Sequence, residues 1–172
     1  MNELDEVWSE MLGRAIAGAE SSGRRDVADY LNLKAANDRV RQAGVQWLFD
    51  SFLELAGEAN RINSAITMEN EHPHSFAFKG ANIVGALLRI RQGVRCLTVE
   101  AGWTRTPADG FMRDGALAIA RITHFGMAKS NADLILARPG EAPKWFSMPD
   151  EQTRLYFRLD DIAGHFRTFL GG

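Results

Sequence analysis

Arginine and aromatic residues gather between residues 82 and 115, and this stretch holds the side chains best suited to binding. Guanidinium groups present forked donors that match carboxylates and phosphates. Tryptophan and arginine are also among the residue types most enriched at binding hot spots. We therefore expect this stretch to contact either a protein partner or a small anionic ligand. The candidate binding residues are Arg89, Arg91, Trp103, Arg105, Phe111 and Arg113.

A structural role is the alternative for the same side chains. Trp103 would plug the open end of a sheet, and the arginines would pair with carboxylates nearby in the chain. Surface pairs between arginine and carboxylate are common and contribute little to stability. The sequence leaves both interpretations open. The candidate acidic partners are Glu100, Asp109 and Asp114.

The histidines and the lone cysteine are the remaining candidates for chemistry. His72 and His74 would point to one side of an extended segment, as two metal ligands could. No HExxH or Cys/His spacing supports them, so we expect no metal and no cofactor. Cys96 opposite Arg89 would be a thiolate with His124 as its base, or else a half-buried strand residue. The GxGxxG, P-loop and GxSxG patterns are absent, so catalytic residues stay unassigned.

Composition narrows the class of protein. The 172 residues are 45% hydrophobic and 24% charged, which predicts one globular domain spanning 1–172. The net charge of −2 argues against nucleic-acid binding. The single cysteine, the acidic start and the lack of a long apolar run predict a cytoplasmic protein without a membrane span. The preference for Arg over Lys is typical of bacterial sequences.

Apolar spacing of three and four residues predicts helices over about 3–20, 24–33 and 38–62. Asn37 and Asp38 would cap the third helix. Its middle turns are apolar enough to need cover on two sides. One cover would be a sheet, and the other would be the first helix or a second subunit. A homodimer through the N-terminal helices is therefore an alternative.

From residue 74 the apolar period changes from 3.6 to 2. Short connections without helical crossovers predict an antiparallel meander of about six strands over 74–159. The helices would pack on one face of this sheet, which gives an α+β fold. Residues 150–170 fit a strand followed by a short C-terminal helix, or one long helix. We favour the strand and helix.

A hairpin at the centre of the sheet separates an apolar face from a polar face. With Gln92–Gly93 as the loop, Arg91 would pair with Val94 and Arg89 with Cys96. The polar face cannot lie in the apolar core, because unpaired buried charges are costly. The apolar face would carry Ala86, Leu88, Ile90, Leu97 and Val99, and the polar face Arg89, Arg91, Cys96, Thr98 and Glu100.

Two functions follow from these features. The first is a non-enzymatic protein-interaction or regulatory domain of a bacterial-type cytoplasmic protein, working through the polar face and the 103–115 loop. The alternative is a small anionic-ligand-binding protein, or an enzyme, with a pocket between sheet and helices and with His124 or Cys96 as its reactive group. A deep pocket with convergent polar groups would favour the second function, and an exposed apolar rim would favour the first.

Overall fold

The computed structural model describes residues 3–172, which form three α-helices and one seven-stranded antiparallel sheet. The strands neighbour one another in chain order, so the predicted α+β meander is confirmed, with seven strands rather than about six. Within residues 3–172, every helix is too short or too polar to cross a membrane. The helices are α1 (Glu3–Ser21), α2 (Arg25–Ile62) and α3 (Leu159–Leu170). The strands are β1 (Thr67–Phe78), β2 (Ala81–Gln92), β3 (Arg95–Trp103), β4 (Ala118–His124), β5 (Ala132–Ala137), β6 (Lys144–Ser147) and β7 (Leu155–Tyr156).

The chain divides into two compact units, Met1–Ala43 and Gly44–Gly172. In the first unit, a tight turn at Gly23 joins α1 to the start of α2. Trp8 on α1 donates a 2.8 Å hydrogen bond from its indole Nε1 to Asp38 on α2. This partly buried contact holds the two helices of the unit together.

One prediction about the helices is wrong, because the segments 24–33 and 38–62 belong to a single helix, α2. No glycine or proline interrupts residues 34–37, and two of these four residues are alanine, the best helix former. Asp38 does not cap a new helix. Its carboxylate lies inside α2 and also accepts a 2.8 Å bond from Arg41.

In the second unit, the C-terminal part of α2 packs on the sheet through an apolar stripe. Trp145 of β6 donates a 3.0 Å hydrogen bond to the carbonyl oxygen of Gly44. A Cβ added at Gly44 would lie 2.6 Å from the side chain of Leu136, so the helix and β5 are in close contact. Trp47 falls outside the stripe and is exposed. The buried residues of the stripe are Leu48, Phe49, Phe52 and Ala56.

The loop of the β2–β3 hairpin is Gly93–Val94, and the predicted loop at Gln92–Gly93 is wrong by one residue. Gln92 pairs with Arg95 instead. Gly93 has φ +59, the conformation that a type II′ turn needs at its first loop position. Moving the loop by one residue shifts each cross-strand partner by two residues. Because side chains alternate between faces with a period of two, every side chain keeps its predicted face.

The predicted apolar face of the hairpin is buried, as expected. The opposite face is polar near the β2–β3 turn and apolar toward the other end, where a second hydrophobic cluster lies. The helix-facing side carries Leu88, Ile90, Leu97 and Val99, all with no exposed surface. The second cluster is built from Phe76, Phe78, Ala81, Ile83, Ile119 and Ile135, with Met112 and Phe146 packed against it.

The edges of the sheet differ from the predicted bounds. β1 begins at Thr67 rather than near residue 74, because its first half pairs with β2 through the backbone while most of its side chains stay exposed. An edge strand of this kind has no apolar alternation to reveal it. At the other end, the predicted strand and helix are confirmed as β7 and α3. α3 begins at Leu159, and the carboxylate of Asp161 stabilises its first turn by accepting a 2.7 Å bond from the amide of Arg158.

Candidate functional site

Arg89 is the best-paired arginine of the predicted site. Its guanidinium lies 3.2 Å from Glu69 and 3.5 Å from Glu71, both on the neighbouring strand β1. The hydrogen bond to Glu69 is the main cause that raises the pKa of Arg89. Arg91 lies two pairs closer to the turn, opposite Cys96, and is exposed. The charge of Arg89 is therefore already compensated, whereas Arg91 faces solvent.

Trp103 and Arg105 form a packed unit at the end of β3. Trp103 is buried, and the guanidinium carbon of Arg105 lies 3.7 Å from the centre of its ring. Arg105 also donates two hydrogen bonds, of 3.2 and 3.1 Å, to the carbonyl oxygen of Val84. These contacts are the ones expected if the two residues have a structural role in the sheet. The binding role of the two residues stays a prediction.

Asp109 holds the backbone of the loop after β3, and two side chains of this loop project into solvent. The carboxylate accepts bonds from the amides of Arg105 and Thr106 and from the side chain of Asn82. The bond from Asn82 is the main cause that lowers the pKa of Asp109. Phe111 is 82% exposed and Arg113 is also exposed. Of the predicted loop residues, these two are therefore accessible to a partner.

Replacing Arg105 with alanine is expected to destabilise the protein by about 1–3 kcal/mol, because the stacking on Trp103 and the bonds to Val84 are lost together. Replacing Arg113, which is exposed, is expected to change the free energy of unfolding by less than about 0.5 kcal/mol. Urea unfolding of the two single variants measures the difference. Equal stabilities would show that the Arg105 contacts contribute nothing.

His74 contacts a carboxylate across the sheet rather than a second histidine. Its Nε2 lies 2.8 Å from Glu100, and its Nδ1 lies 4.0 Å from Glu71. His72 is exposed. Over residues 3–172, no group of three or more His, Cys, Asp or Glu side chains is arranged to hold a metal ion.

The predicted pairing of Cys96 is wrong. Cys96 lies opposite Arg91, and Thr98 takes the place opposite Arg89, because the turn is one residue later. His124 pairs with Leu97, the next residue along β3. Successive residues of a strand point to opposite faces, so His124 and the Cys96 thiol lie on different sides of the sheet. His124 therefore cannot act as the base of this thiol.

A groove at the turn end of the sheet was not predicted. We call it the turn-end groove, and its volume is about 480 Å³. Val94 is 91% exposed, Phe125 is 76% exposed and Met127 is 48% exposed at its rim. Large apolar side chains in contiguous exposed patches mark interaction sites. The lining residues are Val94–Cys96, His124–Met127, Thr168, Phe169, Gly171 and Gly172.

The rim of the turn-end groove is held by backbone hydrogen bonds. The amide of Phe125 donates to Cys96 at 3.0 Å, and the amide of Met127 donates to His124 at 3.0 Å. Gly126 between them has φ +75, which permits the tight turn. The side chain of Asn131 accepts a 2.8 Å bond from the amide of His124. Since the backbone is already ordered, a partner would pay little entropy to use this rim.

His124 lines the groove and contacts a second histidine that lies outside this lining. His124 is 3% exposed, and its Nε2 lies 2.9 Å from Nδ1 of His165 on α3. Burial, and then the neighbouring His124, lower the pKa of His165 to about 4. Burial also lowers the pKa of His124. At neutral pH His124 therefore adds no charge to the lining of the groove.

A cavity beside α3 has a volume of about 820 Å³. We call it the polar pocket. Arg121 already bonds to Asp133 at 3.2 Å across its wall. Three carboxylates and two guanidiniums line it, so its charge does not favour an anionic ligand. The charged lining residues are Arg121, Asp133, Asp160, Asp161 and Arg167.

Comparison with known proteins finds no matching family model, curated protein or solved structure. Function must therefore be inferred from these surfaces alone. The sequence does contain a signal for the turn-end groove. Phe125 and Met127 flank a glycine between two strands, where polar turn residues are more usual.

Proposed function

We propose that this protein is a non-enzymatic protein-interaction or regulatory domain. The observation that carries the proposal is the rim of Val94, Phe125 and Met127, exposed on an ordered backbone around an apolar groove. Aromatic residues and methionine are enriched at protein interfaces. Phe111 and Arg113 of the 103–115 loop would offer a second contact surface beyond the other end of β3, and the polar sheet face would offer Arg91.

The N-terminal helices support self-association as part of this function. Leu4, Val7 and Met11 of α1 are exposed at positions i, i+3 and i+7, which place them along one side of the helix. Tyr30 and Leu33 on α2 are also exposed. We propose that these side chains contact a second subunit in a homodimer of a cytoplasmic protein.

The polar pocket supports a second candidate function, the binding of a small molecule. Its volume of about 820 Å³ lies within the range of ligand sites. The pocket also presents His165 and the hydroxyls of Ser130 and Thr168. The mixture of charges favours a ligand with groups of both signs over a simple anion. This differs from the anionic ligand expected from the arginine content.

Native mass spectrometry of the purified protein separates the two functions. An interaction domain is expected to carry no stoichiometric small molecule, whatever its assembly state. An adduct that denaturation releases, and that the variant Asp160→Asn/Arg167→Gln loses, would establish the small-molecule function instead. Both substituted residues are exposed, so the variant is expected to fold normally. Phe125→Ser/Met127→Ser is the matched control and would retain such an adduct.

A further inference from the structure

We propose that the turn-end groove binds helix α1 of a second copy of this chain. The inference rests on the proposed interaction function and names the partner of its main surface. It joins two exposed features that complement each other in shape and charge. One is the apolar groove of the second unit, and the other is the exposed stripe of α1.

The groove combines an apolar rim with nearby positive charge. Arg95 lies in its lining and donates a hydrogen bond to the carbonyl oxygen of Leu170. Arg91 is paired with the lining residue Cys96, and Lys129 follows Met127 by two residues. No Asp or Glu side chain lines it. His124 of the lining is neutral at pH 7 because burial lowers its pKa. The complementary ligand is therefore apolar along one side and negatively charged beside it.

Helix α1 has this chemistry. Its exposed stripe of Leu4, Val7 and Met11 is the i, i+3, i+7 pattern by which amphipathic helices bind apolar grooves. Exposed carboxylates accompany the stripe, and α1 contains five acidic residues against the single basic residue Arg14. The exposed acidic residues beside the stripe are Glu3, Glu6 and Glu10, of which Glu10 also pairs with Arg14 at the surface.

The geometry of the helix matches the size of the groove. Leu4 and Met11 are seven residues apart, which corresponds to about 10 Å along an α-helix. A groove of about 480 Å³ receives a few side chains and not a whole domain, so two turns of helix are a suitable occupant. Each copy offers one helix and one groove, so every copy can both donate the helix and accept it.

Charge reversal tests this pairing on the full chain by sedimentation equilibrium at low salt. We expect the unaltered protein to associate with increasing concentration. Glu6→Lys/Glu10→Lys and Arg91→Glu/Lys129→Glu are each expected to weaken association at least about tenfold, because like charges then oppose the contact. The chain with all four substitutions is expected to recover association, since the charges are complementary again with their signs exchanged.

Two controls keep the result specific. Glu141→Lys/Glu151→Lys reverses exposed charges elsewhere and is expected to leave association unchanged. Phe125→Ser/Met127→Ser removes the apolar rim and is expected to weaken association without changing charge. Far-UV circular dichroism verifies that α1 remains helical in each variant.

A monomeric unaltered protein would overturn the inference, because no second copy would then occupy the groove. Association that survives both charge reversals, or that the fourfold variant fails to recover, would also overturn it. None of these results would contradict the proposed interaction function. A polypeptide other than this chain could still contact the same rim, and crosslinking from position 125 detects it independently.

Discussion

Substitution of Gly85 or Gly102 by alanine is expected to destabilise the protein by about 3 kcal/mol or more, a large effect for one methyl group. The two glycines pair directly between β2 and β3. A Cβ at Gly85 would lie 2.0 Å from the carbonyl oxygen of Ala101, and one at Gly102 would lie 2.4 Å from that of Val84. Both neighbours are backbone atoms, so the strands themselves would have to move.

The same substitution should also disturb Arg105, because Val84 O accepts both of its hydrogen bonds. Gly57→Ala provides the matched control, since Gly57 lies within α2 and a Cβ there meets nothing within 4 Å. This variant is expected to stabilise the protein by up to about 1 kcal/mol, because alanine favours the helix. Urea unfolding measures all three variants. Nearly equal stabilities would contradict the close approach of β2 and β3.

Acidification below pH 6.5 is expected to destabilise the protein through His124 and His165. The free energy of unfolding is expected to fall by about 1–3 kcal/mol as the pH approaches 4. The folded-state pKa of His165 is about 4, below the ordinary value of 6.5. Between these values the unfolded chain binds a proton that the folded chain does not bind. The stabilisation is therefore complete above pH 6.5 and is lost as the pH falls toward 4.

Substitution of His165 by glutamine should flatten this dependence, because the amide can still hydrogen-bond to His124 but does not titrate. His72→Gln is the control at an exposed position and is expected to leave the slope unchanged. The carboxylates of Asp109 and Asp150 have pKa values below their ordinary 3.8, so they do not titrate between pH 5 and 6.5. A free energy of unfolding that is constant across this range in the unaltered protein would contradict the buried pair.

The faces of the central hairpin were predictable from sequence, even though its turn was not. Leu88 and Leu97 reveal the buried face through the period of two alone. The position of the loop depends on the conformation of Gly93, and the neighbouring Gln92 and Val94 do not indicate it. An error of one residue in the loop preserves the face of every side chain but changes the cross-strand neighbours of Cys96.

The limits of the other elements depend on contacts distant in the chain. Asp38 has the residue type of a helix cap, but its hydrogen bond with Trp8 lets it remain inside α2. The first half of β1 has no alternation, since backbone pairing with β2 is what makes it a strand. Neither contact can be predicted from the residues that lie close to Asp38 or to Thr67 in the sequence.

The candidate site was only partly predictable for the same reason. Phe111 and Arg113 are accessible, as a binding loop requires, whereas Trp103 is buried under Arg105. The turn-end groove assembles from a β2–β3 turn, a β4–β5 connection and the end of α3. No single stretch of sequence contains enough of it to be recognised. Apolar residues in the turn around Gly126 were the one local indication.

Photocrosslinking in the cells that make the protein tests the central claim most directly. A photoreactive benzoylphenylalanine would replace Phe125 at the groove rim or, as a control, the exposed Glu141. We expect position 125 to form a discrete adduct with a polypeptide, identified by mass spectrometry as this chain or another. We also expect that Met127→Ser reduces the adduct and that position 141 forms none. No adduct at 125, or equal adducts at both positions, would contradict an interaction domain that works through this rim.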